Sequence, residues 1–313
     1  MMHEDVRFWL RQQESWHDFR QFIRYGWVES WRRFWYWPQI LRTPPIRTDP
    51  SRAGCSWELH TMCHPGDWLL MVWMLKSLLR QMRDRPSLII HIQRPLLPSR
   101  ICRIREHFPD ARVVLPEEAQ ARVIDELLAQ NAIRSLRWRL EQPIIQKLFD
   151  VQILSQASSI TWVDADVLFF GTPAELVPDP VHGFSQWAFQ RDHVDSFSLT
   201  HEAARQDLGV ELLPFANAGI VTRPREVLAL RRVEQFLSHA AFGKKCGLME
   251  QTLQVLCASE AGVATHFPPT YELTLQPHLS PLGGVCRHYA GPSRRFITRD
   301  GIQRLIRNGL LES

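Results

Sequence analysis

Between residues 56 and 170 the chain alternates short apolar runs with longer stretches of helical pattern, and that alternation limits the folds open to it. Residues 56–62 read as a strand, 67–82 as a helix, 87–92 as a strand, 99–107 as a helix and 111–115 as a strand. Two further helices over 116–130 and 144–157 lead to a short buried strand, Ile160 to Val163. Parallel neighbours must be joined by crossovers, normally helical, so the pattern predicts an α/β fold. Its centre is a mainly parallel sheet with helices on both faces. Ligands of such sheets lie at the carboxyl ends of the strands. Beyond Gly171 the pattern is mixed: a polar loop over 191–198, a turn into a strand over 215–221, a helix over 225–239, a Gly243-Lys244-Lys245 loop, and a helix starting near Met249.

The strand ending at Val163 runs straight into Asp164-Ala165-Asp166, and a second apolar run follows. Side chains two apart leave a strand on the same side, so the two carboxylates are expected to point together at the strand's carboxyl end. Two ionised carboxylates that close repel each other unless a cation lies between them. A hard divalent ion is the simplest such cation, and a capping or turn role is the alternative. His288 lies far away in sequence, in the run His288-Tyr289-Ala290-Gly291-Pro292-Ser293-Arg294-Arg295. An imidazole there can complete a carboxylate-rich coordination shell, the arginines suit phosphate, and a purely structural histidine is the competing reading.

Composition narrows the partners. The 313 residues are 45% hydrophobic and 22% charged, an ordinary globular balance, and the net charge of +4 does not support nucleic-acid binding as the main activity. Six cysteines without paired spacing read as reduced thiols of a cytoplasmic protein, and no apolar run is long enough to cross a bilayer. Residues 1–37 hold six of the twelve tryptophans and six arginines. Trp9, Trp16, Ile23, Trp27, Trp31 and Phe34 recur at helical steps. This segment is either a helical extension packed on the main domain or an amphipathic element in peripheral contact with the inner face of a membrane. Its acidic residues, Glu4, Asp5, Glu14, Asp18 and Glu29, weigh against the membrane. Four prolines between Trp37 and Pro50 mark a linker, so residues 1–50 form an extension and 51–313 the main domain.

Four segments in order resemble the GT-A glycosyltransferases, closest in pattern to glycosyltransferase family 8. They are Asp164-Ala165-Asp166 after a strand, Asn217-Ala218-Gly219 at a turn into a strand, Glu250-Gln251 opening a helix, and His288 with Gly291. The resemblance spans roughly residues 55–295. It implies a Rossmann-like GT-A domain, a nucleotide-sugar donor, usually UDP-linked, and Mn²⁺ (or Mg²⁺). It implies a glycan or glycolipid acceptor, as in polysaccharide biosynthesis, and retention of configuration. Asp164 and Asp166 would then meet the metal and the donor ribose, with His288 as third metal ligand. Asn217, Glu250 and Gln251 would form the catalytic set, with Asn217 and Gln251 flanking the donor sugar. The stretch from His60 and Thr61 to Cys63 would receive the base and ribose, and Ala165 and Gly291 would line the donor. Lys147 stands where the family often has a basic residue near the donor, and equally reads as a solvated helix lysine. The chain departs from the family in three places. Arg294 and Arg295 stand where a lysine is usual, Glu250 replaces an aspartate, and the Trp-rich extension is additional.

Other constellations are weaker. Cys55, His60, Cys63 and His64 lack the spacing of a structural zinc site. No glycine-rich phosphate loop and no G-x-S-x-G elbow is present. Arg134, Arg137 and Arg139 read as a solvated basic patch, with contact to an anionic acceptor as the alternative. Asp192 and Asp195 read as a solvated loop, with reach to the donor sugar as the alternative. A nucleotidyltransferase would also use clustered carboxylates, but would usually need a basic glycine-rich segment after the first strand, where this chain has no Lys or Arg between His60 and Gly66. A non-catalytic scaffold using the Trp-rich arm remains the other class.

Overall fold

Every residue of the first strand, β1 (Trp57–Cys63), is buried or nearly so, as a strand covered on both faces must be. The protein is seen here in a computed structural model that describes residues 26–48, 56–243, 247–273 and 283–312. Trp9, Trp16, Ile23, Cys55, Lys244 and Lys245, singled out above from the sequence, lie outside those residues. The chain opens with helix α1 over residues 26–36 and a 3₁₀ turn, Trp37–Arg42. After β1 come α2 (Trp68–Leu79), β2 (Ser87–Ile92), α3 (Pro98–His107), β3 (Arg112–Val114), α4 (Pro116–Ala129), α5 (Ile133–Glu141) and α6 (Gln146–Leu154). Strands β4 (Ser159–Val163), β5 (Val167–Phe169) and β6 (Trp187–Arg191) follow, then α7 (His201–Leu208) and β7 (Ala216–Pro224). The chain ends with α8 (Leu230–Phe236), α9 (Met249–Glu260), β8 (Ala264–His266), β9 (Tyr271–Leu273), β10 (Cys286–His288) and α10 (Gln303–Arg307).

The main sheet has seven strands in the order β3-β2-β1-β4-β7-β6-β8. Only β7 runs against its neighbours. One apolar core packs α2 and the carboxyl-terminal segment against one face, and a second packs α4, α6 and α9 against the other. The expected α/β architecture is therefore present. A second sheet, β5-β10-β9, stands at the carboxyl end of β4.

Several boundaries differ from the sequence reading. The helix expected over 225–239 is confined to α8, because Arg225 is held back by its own amide bonding to Ser158 O. The helix expected over 144–157 starts at Gln146, after a 3₁₀ turn opened by Pro143. The basic patch lies on helix α5, where Arg134 and Arg137 are exposed as expected but Arg139 is buried in a bidentate pair with Asp150 at 2.5 and 2.9 Å. The proline-marked linker is packed down. Lys76 of α2, fully buried, donates to Thr43 O, Thr43 Oγ1 and Pro44 O at 2.5–3.3 Å.

Candidate active site

An antiparallel strand starts where its parallel neighbours end. For that reason β7 carries Asn217-Ala218-Gly219 to the carboxyl end of β4, in the register Val163↔Ile220, and the Asp164 amide donates to Gly219 O at 2.8 Å. On the other side of Asp166, β10 pairs antiparallel with β5 in the register His288↔Val167, and the Tyr289 amide donates to Asp166 O at 2.9 Å. Two strand pairings thus bring three distant segments together. Asp164, Asp166 and His288 each offer a ligand atom within 4.8 Å of the others, and they are the one such metal-competent group among the described residues. The aspartates sit in the turn between β4 and β5 rather than within a strand. Gly219 permits the approach of the imidazole: a Cβ there would stand 2.0 Å from His288 Cε1.

The hydrogen bonds around His288 fix its protonation pattern. Gln190, fully buried on β6, donates from Nε2 to the Tyr271 and Glu272 carbonyls at 3.3 and 3.0 Å. Its Oε1 is therefore the acceptor facing His288 Nδ1 at 2.9 Å, and Nδ1 must carry the proton. In a neutral ring that leaves a bare lone pair on Nε2, 3.3 Å from Asp166 Oδ1. Two acceptors face each other across a gap that calls for a proton or a metal ion. Were the ring instead protonated on both nitrogens, His288 and Arg294 would outweigh burial and bring the Asp166 carboxyl down to about 2.

Around this core the charges are lopsided. Four carboxyl groups, of Asp67, Asp164, Asp166 and Glu250, face the two cations Lys147 and Arg294. Lys147 is buried, 3.1 Å from Asp164 and 3.7 Å from Glu250, and it also donates to Ala218 O. Burial disfavours its charge, yet the two carboxylates win and its pKa is raised. Its three donors are thereby occupied. Glu250 is pushed up to about 7 by burial, with Asp164 adding and Lys147 opposing. Arg294 spans Asp67 at 2.8 Å and Asp166 at 3.7 Å. The excess negative charge and the hard oxygen donors with one imidazole suit Mn²⁺ or Mg²⁺.

The remaining expected residues separate into two sets. Asn217 and Gln251 border the centre with oriented amides. Asn217 accepts from the Gly219 amide and donates to Asp192, both at 2.9 Å. Gln251 accepts from the Ala218 amide at 3.1 Å and donates to Ser196 O at 2.7 Å. Each amide oxygen keeps a second lone pair. Ala165 lies in the same turn, half-buried, and Gly291 is exposed with φ +53° at the start of the segment that carries Arg294. His60 and Thr61, by contrast, are not brought to the site. Both lie inside β1 and are fully buried. His60 bonds to Glu58 and His91 at 3.0 Å, and Thr61 donates to Val163 O at 2.8 Å. The first loop begins only after Cys63, so a base or ribose cannot meet their side chains there. That same bonding removes His60 from any zinc cluster.

Two participants, Asp67 and Gln190, escaped the sequence reading, and two more, Asp192 and Asp195, were read only as loop residues. Asp67 opens α2 at the end of the first loop, and its Oδ1 is buried without a partner. A carboxylate at a helix start is too common to single out. Gln190 lies on a strand that the sequence pattern does not reveal. Asp192 and Asp195 brace the Asn217 turn, since Asp195 accepts from the Phe215 amide at 2.8 Å and Asp192 holds Asn217.

No protein-family model and no curated protein matches the sequence. Solved structures do resemble the fold. The galactosyltransferase LgtC, in complex with donor and acceptor sugar analogues, matches with a TM-score of 0.54 over 81% of this chain and 95% of that one, at 12% identity. An active-site glutamine-to-glutamate variant of LgtC matches at 0.53, over 80% and 94%, at 11% identity. Mouse xyloside xylosyltransferase 1 in its apo form scores 0.49 over 78% of this chain and 98% of that one, at 14% identity. The architecture is that of the GT-A glycosyltransferases.

Proposed function

We propose that this chain is a metal-dependent glycosyltransferase of the family 8 type. It moves a sugar from a nucleotide-sugar donor, a UDP-sugar, to a glycan or glycolipid acceptor with retention of configuration. The observation that carries this reading is the meeting of Asp166 Oδ1 and the bare His288 Nε2, with Asp164 beside them, at the carboxyl edge of a GT-A sheet.

Asp164, Asp166 and His288 would hold Mn²⁺ or Mg²⁺, which when bound neutralises charge developing on the departing nucleoside diphosphate. The protein's own groups divide the rest of the work. Gln190 keeps the proton on His288 Nδ1 and so leaves Nε2 as a ligand. Lys147 holds Asp164 from behind and acts on the donor only through that carboxylate. Arg294 reaches toward the diphosphate from beside Asp166, and Gly291 frees the backbone that presents it. The departing sugar gains cationic character, and the free lone pairs of the Asn217 and Gln251 amide oxygens are placed to stabilise it. Glu250, whose carboxyl is pushed up by burial, lies behind Lys147 at 3.7 Å.

The test is a screen of UDP-sugars for Mn²⁺-dependent hydrolysis and transfer, with Asp166→Asn as control. Turnover of one donor by the natural chain, lost in the variant, is the expected result. Metal-independent turnover, or undiminished turnover in the variant, would refute the reading. Calorimetry with UDP and Mn²⁺ separates it from a scaffold role, which predicts no metal-dependent nucleotide binding.

A further inference from the structure

Helix α1 is packed the wrong way round for a helix that serves only the core. Trp27, Trp31, Phe34 and Trp35 stand at i, i+4, i+7 and i+8 and so form one stripe. That stripe faces outward: the four side chains are 70%, 59%, 78% and 58% exposed, and Trp31 stacks on Trp35 with ring centroids 6.2 Å apart. The face turned to the protein carries the charged residues instead. Glu29 and Arg33 are buried as an ion pair at 3.2 Å, and Arg33 donates to Arg294 O at 3.1 Å. Trp37, one residue past the helix, is buried and donates to Thr298 Oγ1 at 3.0 Å. Leaving four large aromatics in water while burying an ion pair is unfavourable unless something else covers the aromatics.

The charge around the stripe says what covers it. From residue 26 to 48 the only carboxylate is Glu29, and it is buried and neutralised by Arg33. The exposed charge is cationic: Arg42 on this segment and Arg295 beside Arg294, whose carbonyl holds α1 down, with Arg32 half-buried 4.0 Å from Glu29. A glycan platform would set carboxylates or amides beside its aromatic rings to bond the sugar hydroxyls. Over residues 26–36 the only uncharged polar side chains are Ser30, with a buried hydroxyl, and the half-buried Tyr36. Tryptophan flanked by arginine, with no free acid, is the composition favoured at the boundary between lipid headgroups and acyl chains.

We infer that the outer face of α1 seats the protein on an anionic phospholipid surface. The aromatic stripe enters the interface and the arginines meet the lipid phosphates. The docked face of the same helix touches the 294–298 segment, so the surface that grips lipid is joined through one carbonyl to the residue beside Asp166. Resting on the transferase reading, this also assigns the acceptor to the lipid-borne class, presented from the membrane on which the enzyme sits.

The experiment is flotation of the full chain with phosphatidylcholine vesicles, with and without phosphatidylglycerol. It compares the natural chain, the combined Trp27→Ser, Trp31→Ser and Trp35→Ser variant, and Arg32→Glu. The natural chain should float with the anionic vesicles and not with the neutral ones. The triple variant should lose binding by about ten-fold or more, and Arg32→Glu by a smaller factor that shrinks further in high salt. Melting temperature and Mn²⁺-dependent UDP binding, measured on the same variants, should not change. Failure to float, or equal flotation of the triple variant, overturns the inference. So does a dimer that the triple variant dissolves without any vesicle binding, which would make a second copy the occupant. Retained UDP binding alongside failed flotation removes the membrane inference alone. Lost UDP binding in the natural chain removes the transferase reading alone.

Discussion

Two buried histidine–carboxylate contacts in this molecule look alike and behave differently. In the sheet interior, His91 Nε2 faces His60 Nδ1 and His60 Nε2 faces Glu58, each at 3.0 Å, while Glu58 also accepts from Ser155 Oγ and the Gln156 amide. With both rings neutral, every contact there has one donor and one acceptor: His91 donates to His60, and His60 to Glu58. At the carboxyl edge the same accounting fails. Gln190 Oε1 accepts from His288 Nδ1–H, and Nε2 is left facing Asp166. A network in which each contact pairs one donor with one acceptor reads as structural, although His91 Nδ1 at its end is buried without a partner. One in which two acceptors face each other has room for a cation, and that difference is what the proposed metal site rests on.

The comparison can be broken most sharply at Asp166. Asp166→Asn should lower metal-dependent transfer by on the order of 10³-fold while moving the melting temperature little, checked by kinetics beside thermal unfolding. Glu58→Ala should do the reverse. It leaves His60 and Ser155 unpaired in the core and should cost about 3–5 kcal/mol in denaturant unfolding, with Mn²⁺ affinity per folded molecule unchanged. Metal affinity lost in proportion to that destabilisation would show that the two networks are not separable.

Gly219→Ala and Gln190→Leu sharpen the contrast within the open site. The new methyl of Gly219→Ala must push the His288 ring aside, so Mn²⁺ affinity should fall even though no ligand atom has been removed. Gln190→Leu frees the His288 tautomer and should weaken Mn²⁺ binding by about 10–100-fold, read by calorimetry. Unaltered affinity in Gln190→Leu would mean that the amide serves only the Tyr271 and Glu272 carbonyls.

The smallest effect is on pH dependence, and here the closed network gives the sign. Burial lowers the pKa of His60, only partly opposed by Glu58, and holds His91 well below its ordinary value. The unfolded chain thus binds more protons below about pH 6.5, and stability falls as the pH drops through that range. For Glu58 burial acts upward, but His60, Ser155 and Gln156 bring it down to about 2, so a second loss runs from about pH 4.5 toward pH 2. In Glu58→Gln that lower limb should flatten, as unfolding curves taken at stepped pH would reveal.

Much of this was legible in the sequence wherever one local rule sufficed. The strand–helix alternation from residue 56 to 169, the turn after Val163 and the glycine at 219 all follow from apolar spacing and backbone freedom. What the sequence hid depends on long-range pairing. Strand β6 is short and mixed in character, so neither it nor Gln190 could be found without β7 beside it. His60 and Thr61 fall within the strand read over 56–62, yet the resemblance set them against the donor. Strand β1 runs on through Cys63 because β2 pairs with it that far, which keeps both side chains inside the sheet. Arg139 looked solvated because nothing local announces Asp150 as its partner. The helical register of α1 could be read, but not which face would turn inward. That was decided by the Arg294 carbonyl and the Thr298 hydroxyl, which take up Arg33 and Trp37.

One titration bears most directly on the account: calorimetry of the intact chain with Mn²⁺ and UDP together, compared with the His288→Ala and Asp166→Asn variants. The account predicts saturable binding that needs both the ion and the nucleotide, and that either substitution weakens it by at least about ten-fold. UDP binding that ignores Mn²⁺, or that survives the loss of both side chains, would contradict it.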